Sequence, residues 1–200
     1  MREIALHLLD IAENSAAAQS RNISIDVHED LYNDVLCACL IDDGCGMDAT
    51  TAQNVQDPFY TTRTTRNVGL GIPLFKLAAE MAEGRFSLVS EPGTGTRVEA
   101  AFRHSHIDRM PLGDLSATFL TALISHPKIH WQFFYRVTDA GGASRDFSFD
   151  DAELKTELGD MSLTEPEILA FVRGMIEEGI EELALTVNSL DYKGENYARN

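Results

Sequence analysis

No apolar run in this 200-residue chain reaches the length of a bilayer span. The N-terminus, MREIALHLLDIAENS, carries acids inside its apolar pattern and has no cleavage signature, so it does not read as an export leader. Positive charge is scarce: 16 Lys and Arg against 32 Asp and Glu leave a net charge of -16. Such a surface repels phosphodiester backbones, which argues against nucleic acid as a partner. Cysteine is sparse and odd in number, three in all, which fits a reducing cytoplasm better than a disulfide framework. There is no GxxxxGK[ST] string, no internal repeat and no low-complexity segment. What remains is 44% hydrophobic, enough for one large or two small domains with a real core, expected in the cytoplasm and away from membranes.

The most informative stretch is LIDDGCGMD, residues 40–48. The apolar run 35–41 reads as a buried strand that ends in two carboxylates, Asp42 and Asp43. Gly44 and Gly46 then let the backbone turn and leave it bare for a ligand, and Asp48 is placed to cap a helix. Gly44 to Ala49 also matches the GxGxxG/A dinucleotide pattern. That pattern seats a pyrophosphate on the turn, where the charge of Asp42 and Asp43 would oppose it. A carboxylate here is better used as an acceptor for an amino group, such as N6 of adenine. Cys37, Cys39 and Cys45 admit a metal site, against which stands the reading of three small buried side chains.

Around this stretch the chain reads as follows. Residues 3–18 form a helix with Ile4, Leu8, Ile11 and Ser15 on one stripe and His7, Asp10 and Asn14 in a second row. Residues 23–28 alternate as a strand and make a hairpin with the next. Residues 57–68, with four threonines and two arginines, read as an exposed mobile loop. Its arginines and hydroxyls, Thr62 and Arg63 among them, suit phosphate oxygens, or they belong to a polar linker. Gly69, Leu70 and Gly71 lead into a helix over 72–82, with Pro73 in its first turn and Gly84 past its end. Glycines before a helix N-terminus expose free N–H groups, a natural phosphate seat. Residues 86–90 and 96–102 form a second hairpin, so the first half reads as an α+β sandwich with helices on one face of a sheet.

In this order the segments resemble the GHKL, or Bergerat-fold, ATPases, which include gyrase, MutL-type repair proteins, sensor histidine kinases and anti-sigma-factor kinases. Asp10 to Ser15, DIAENS, resembles the N-box, and Asp42 to Gly46 the DxGxG box. Pro58 to Thr62, with Phe59, resembles the F-box and lid start, Gly69 to Ile72 the GLGL box, and Gly93 to Thr96 the last box. Each box alone is weak; together in register they are specific. The resemblance implies a two-layer Bergerat sandwich over residues 1–105, binding ATP with Mg²⁺. It implies that Asp42 and Thr96 meet adenine, that Asn14 ligates Mg²⁺, and that Gly69 and Gly71 seat phosphate. Asp10 stands where gyrase and MutL relatives carry a Glu base, shorter by one methylene. Asn67 replaces the first glycine of the family's GxGLG. His7 lies inside the nucleotide-binding helix, so the expected function is regulatory: a kinase of another, unidentified protein or a slow ATPase switch without its own phospho-acceptor histidine domain, with a non-catalytic ATP sensor as the alternative.

Residues 106–200 carry no box of this kind. A helix is expected over 115–125, an aromatic-rich strand over 129–138, a partner strand over 145–149, and helices over 151–158 and 165–182, the last capped by Thr164. They read as a small α+β domain or an extension packed on the first. His126 and His130, on either side of Pro127, read as ordinary histidines rather than metal ligands.

Overall fold

The apolar stripe of the first helix forms as its spacing predicts. The computed structural model describes residues 3–58, 71–159 and 165–194, with side chains placed through residue 183. In it α1 (Ile4–Ala17) buries Ile4, Leu8, Ile11 and Ser15 together with Ala5, His7 and Ala12. No side chain caps its first turn. The N–H groups of Ile4 and Ala5 instead donate to the carbonyls of Pro111 and Leu112, at 3.0 and 2.9 Å. The connector between the two halves of the chain thereby satisfies donors that a capping residue would otherwise take.

The expected hairpin follows, β1 (Asn22–Asp30) with β2 (Val35–Asp42), antiparallel and with Ile23 opposite Asp42. Helix α2 (Ala49–Asn54) starts on Asp48, whose carboxylate accepts from the Thr51 N–H at 2.7 Å. After α3 (Gly71–Met81) come β3 (Arg85–Glu91) and β4 (Gly95–Arg103). The stop after α3 differs from its expected form. Glu83, not Gly84, takes the left-handed conformation, with φ of 52°. Gly84 is needed for space instead, since a Cβ there would lie 1.8 Å from the Ala101 carbonyl oxygen. The second half supplies α4 (Leu115–Ser125), β5 (His130–Thr138), β6 (Ser144–Asp150), α5 (Asp151–Leu158) and α6 (Pro166–Gly194). Thr164, the expected cap of α6, lies outside the described residues.

All six strands join one mixed sheet in the order β3-β4-β2-β1-β5-β6. Neighbours are antiparallel except β1 and β5, which run parallel from Asn22 opposite His130 to Asp30 opposite Thr138. The second half therefore continues the sheet of the first. Side chains alternate between faces. Val27, Leu40, Val98, Trp131 and Phe149 lie in one apolar cluster with Leu8 of α1, Phe75 of α3, Phe119 of α4 and Ile176 of α6. Phe119 anchors the second half, with ring centroids 4.9 Å from Phe133, 5.5 Å from Phe149 and 6.4 Å from Trp131. The result is the expected two-layer α+β sandwich, helices on one face of a mixed sheet, with a C-terminal α+β extension.

The cysteines divide. Only Cys39 is buried; Cys37 is half-buried and Cys45 exposed. Cys37 and Cys39 alternate with Leu36, Ala38 and Leu40 and so take the face of the sheet away from that cluster. Burial pushes their thiols up, to about 11 and about 12. Cys37, Cys39 and Cys45 do not converge on a metal position.

Candidate nucleotide site

Strand β2 delivers Asp42 to the mouth of the sandwich, opposite Thr96 of β4. Its side chain is buried, and its two oxygens are held from different elements. Oδ2 accepts the Ser15 hydroxyl of α1 at 2.6 Å, and Oδ1 accepts the Gly44 N–H at 2.9 Å. Ser20 approaches Oδ1 at 3.3 Å, but its hydroxyl donates better to the Ser15 carbonyl at 2.7 Å. A carboxylate has about four lone-pair sites, so acceptor capacity remains for a ligand. Neither serine is legible as functional from spacing, since Ser15 sits at a core position of its helix; the ENS string was the available signal.

The neighbouring aspartate is spent locally. Asp43 Oδ1 accepts the N–H groups of Arg21 and Asn22 at 2.7 and 2.8 Å, and Oδ2 accepts Asn22 Nδ2 at 2.6 Å. Partial burial pushes its carboxyl up, but these bonds from Asn22 and Arg21 win and hold it below the usual range. The paired aspartates thus have separate tasks: one ties the turn down and the other keeps free acceptor capacity.

The glycines of the turn serve close packing of backbones. Gly46 has φ of +63°, and a Cβ there would lie 1.9 Å from the Glu91 carbonyl oxygen. Gly95 has φ of +122°, and its Cβ would lie 2.0 Å from the Asp42 carbonyl oxygen. Any larger residue at either position drives the turn after β2 away from the turn before β4. Between these turns Gly93 donates its N–H to the Cys45 carbonyl at 2.8 Å. Ser90 Oγ accepts the Met47 N–H at 2.8 Å and lies 2.9 Å from Thr96 Oγ1. Gly44 is bounded by Ser20 Oγ and Ala18 Cβ, so the same turn also rests on the end of α1.

On the other side of α1, Asp10 faces Gly71, the first residue of α3: a Cβ on Gly71 would lie 2.9 Å from Asp10 Cβ. Asp10 is exposed, and Asn14, one turn on, is half-buried. The row expected of His7, Asp10 and Asn14 is not uniform. His7 is buried, with its ring 5.8 Å from that of Phe75. Phe59, Thr62, Arg63, Gly69 and Leu70, and with them most of the expected 57–68 loop, lie outside the described residues.

Residues 1–106 match the family model of the histidine kinase-, DNA gyrase B- and HSP90-like ATPases. The chain belongs to this family. It is 34% identical over 89 residues to the signal transduction histidine-protein kinase AtoS of Escherichia coli, covering 44% of this chain and 14% of that protein. It is 27% identical over 123 residues to the non-motile and phage-resistance protein of Caulobacter vibrioides, covering 58% of this chain and 15% of that one. The curated relatives it matches are far longer: the chain spans 14% to 19% of their lengths. A crystal structure of the N-terminal domain of a DNA repair protein overlays with a TM-score of 0.48 at 12% identity, covering 74% of this chain and 53% of that one. As a member of this family, the chain is an ATP-binding, kinase-like module. The dinucleotide reading of Gly44 to Ala49 gives way: the Asp48 carboxylate already caps α2, where that pattern would seat a pyrophosphate. Among the described residues no helix is long and apolar enough to cross a membrane.

Proposed function

We propose that this chain binds ATP with Mg²⁺ and passes the terminal phosphoryl group to another protein, or slowly to water, as a regulatory switch. The observation that carries the reading is the Asp42 carboxylate, held by the Ser15 hydroxyl and the Gly44 N–H with acceptor capacity to spare. Two fixed donors orient the acid before any ligand arrives, so little ordering cost falls on binding. Asp42 accepts from the adenine amino group, and Thr96, opposite it in the sheet, supports the same edge. Gly44 and Gly46 shape the turn beside it. Phe59, Thr62, Arg63, Gly69 and Leu70 complete the nucleotide-binding set on the lid side, with Gly71 leading α3.

The phosphate end falls to α1 and the start of α3. Oxygen ligands suit Mg²⁺, and the amide oxygen of Asn14 is a sufficient single protein ligand because phosphates and water fill the remaining positions. Bound Mg²⁺ supplies neutralisation of phosphate charge. Asp10, exposed and against Gly71, offers a carboxylate that takes a proton from the attacking hydroxyl or water. Its side chain is one methylene shorter than the glutamate of gyrase-like relatives, so one intervening water carries that proton.

The two residues separate by their effects. Asn14→Ala is expected to lose Mg²⁺-dependent ATP affinity and turnover together. Asp10→Asn is expected to bind Mg-ATP nearly as the wild type does and to lose ~10²-fold or more in phosphate release or transfer. Calorimetry and a stopped ADP-release assay on both variants measure this. Unchanged turnover in Asp10→Asn would remove the base, and Mg-ATP binding without ADP release by the wild type would favour a non-catalytic ATP sensor.

A further inference from the structure

A chain of hydrogen bonds leaves the turn after β2 and ends on the first turn of α5. Asn22 Nδ2 donates to Asp43 Oδ2 at 2.6 Å. That bond fixes the amide, so Asn22 Oδ1 faces His130 Nδ1, at 2.9 Å. On its other side His130 Nε2 lies 2.7 Å from Asp150 Oδ1. Asp150 caps α5 by accepting the Ala152 N–H at 2.9 Å, and its second oxygen accepts Gln132 Nε2 at 2.8 Å. The Ala152 N–H above all, then Gln132 and His130, hold the Asp150 carboxyl down at about 2, so it is ionised at any physiological pH.

Both partners of the ring are therefore acceptors. A neutral imidazole carries one N–H and can satisfy only one of them; the imidazolium satisfies both. The remaining charges around the ring are accounted for. Asp43 acts through Asn22. Asp151, fully buried, accepts the Trp131 N–H at 3.1 Å and stands 3.9 Å from His130 Nε2. Lys155 pairs with the other Asp151 oxygen, so its ammonium already balances that acid. The His130 side chain is 31% exposed.

We propose that His130 is a proton-gated tie that, as imidazolium, fastens the nucleotide-site turn to the start of α5 and, on losing a proton, lets go of one end. The neutral ring keeps its one N–H on the charged Asp150 carboxylate, so the end released is Asn22, and the turn at 43–46 loosens from β5 while the start of α5 stays tied. Nucleotide affinity weakens with it, because the turn that positions Asp42 is less ordered. This last consequence rests on the function proposed above; the tie itself does not.

The test uses the full chain without nucleotide first. Long-range ¹H–¹⁵N spectra from pH 5 to 8.5 follow the ring of His130, with His130→Gln to identify it. Both ring nitrogens are expected to carry protons at the acid end and one at the alkaline end. Amide protection factors of 43–46 are expected to fall by about fivefold or more across that titration, while those of 151–158 hold. In Asn22→Ala, which keeps the histidine, the turn no longer responds to pH. Affinity for a non-hydrolysable ATP analogue with Mg²⁺ is then compared between wild type and His130→Gln at pH 6 and 8, which cancels titration of the phosphates. The wild type is expected to lose about fivefold more affinity than the variant. A ring that keeps one protonation state throughout, or α5 responding in the wild type without the turn, overturns the tie. An analogue that binds at neither pH overturns the nucleotide reading, while the protection factors still decide the tie.

Discussion

Asp42 shows how little a single residue's identity says without its neighbours. Two acids stand side by side at the end of one strand, and hydrogen bonds from Arg21, Asn22, Ser15 and Gly44 assign them different tasks. In Asp42→Asn the Gly44 N–H claims the amide oxygen, which turns the NH₂ group toward the adenine amino group, donor against donor. ATP affinity is expected to fall by ~2 kcal/mol or more, measured by calorimetry. GTP, whose O6 is an acceptor, is expected to bind the wild type poorly; equal affinities would remove adenine from the site. Ser15→Ala leaves the carboxylate with one fewer donor and is expected to weaken ATP binding by about 1 kcal/mol. Asp42 itself was legible, because a strand followed by a glycine turn is a local pattern. Ser15 was not, because a hydroxyl at a core position has meaning only once Asp42 is seen beside it.

At the scale of elements, a buried polar cluster fastens β1 to β5 at the end of the sheet remote from Asp42. Glu29 accepts the Tyr135 hydroxyl at 2.5 Å and faces His104 Nε2 at 2.8 Å. Burial pushes the Glu29 carboxyl up from its ordinary 4.5, but the bonds from His104 and Tyr135, with the charges of His104 and Arg109, outweigh it and hold it lower. A carboxyl with a lowered folded value stabilises the fold above its unfolded value and loses that contribution as pH falls through the folded one. Urea midpoints of wild type and Glu29→Gln are therefore expected to differ most near neutrality and to converge on acidification below about pH 4. Tyr135→Phe, which removes one bond to a charged acceptor, is expected to cost about 1.5–3 kcal/mol at pH 7 and less at pH 3. Helix and strand positions were mostly legible from periodicity, because each depends on a dozen neighbouring residues. The stop after α3 was misplaced by one residue, since Gly84 is required by Ala101, a contact 17 positions away. The parallel pairing of β5 with β1 was not legible either, since an aromatic strand buried on one face looks alike whichever neighbour it has.

Among the described residues one sheet and one core run through both halves, and the single tryptophan of the chain, Trp131, lies fully buried in the second half. Nucleotide contacts only first-half residues in the function proposed here. If both halves unfold as a unit, a ligand bound by one stabilises the other by mass action. ATP at 100 times its Kd is expected to shift the Trp131 fluorescence transition in urea by about 2.7 kcal/mol, and an unmoved transition would show that the second half unfolds alone. The parallel pair also has a consequence for how the protein is made. β1 is interior in the finished sheet, yet its partner β5 ends at Thr138, long after β1 has been synthesised. For roughly 5–20 s of translation, the backbone from Asn22 to Asp30 presents a row of unclaimed hydrogen-bonding groups on the side β5 will cover. A fragment ending at residue 105 keeps that open flank permanently, and sedimentation is expected to find it self-associating where the full chain does not.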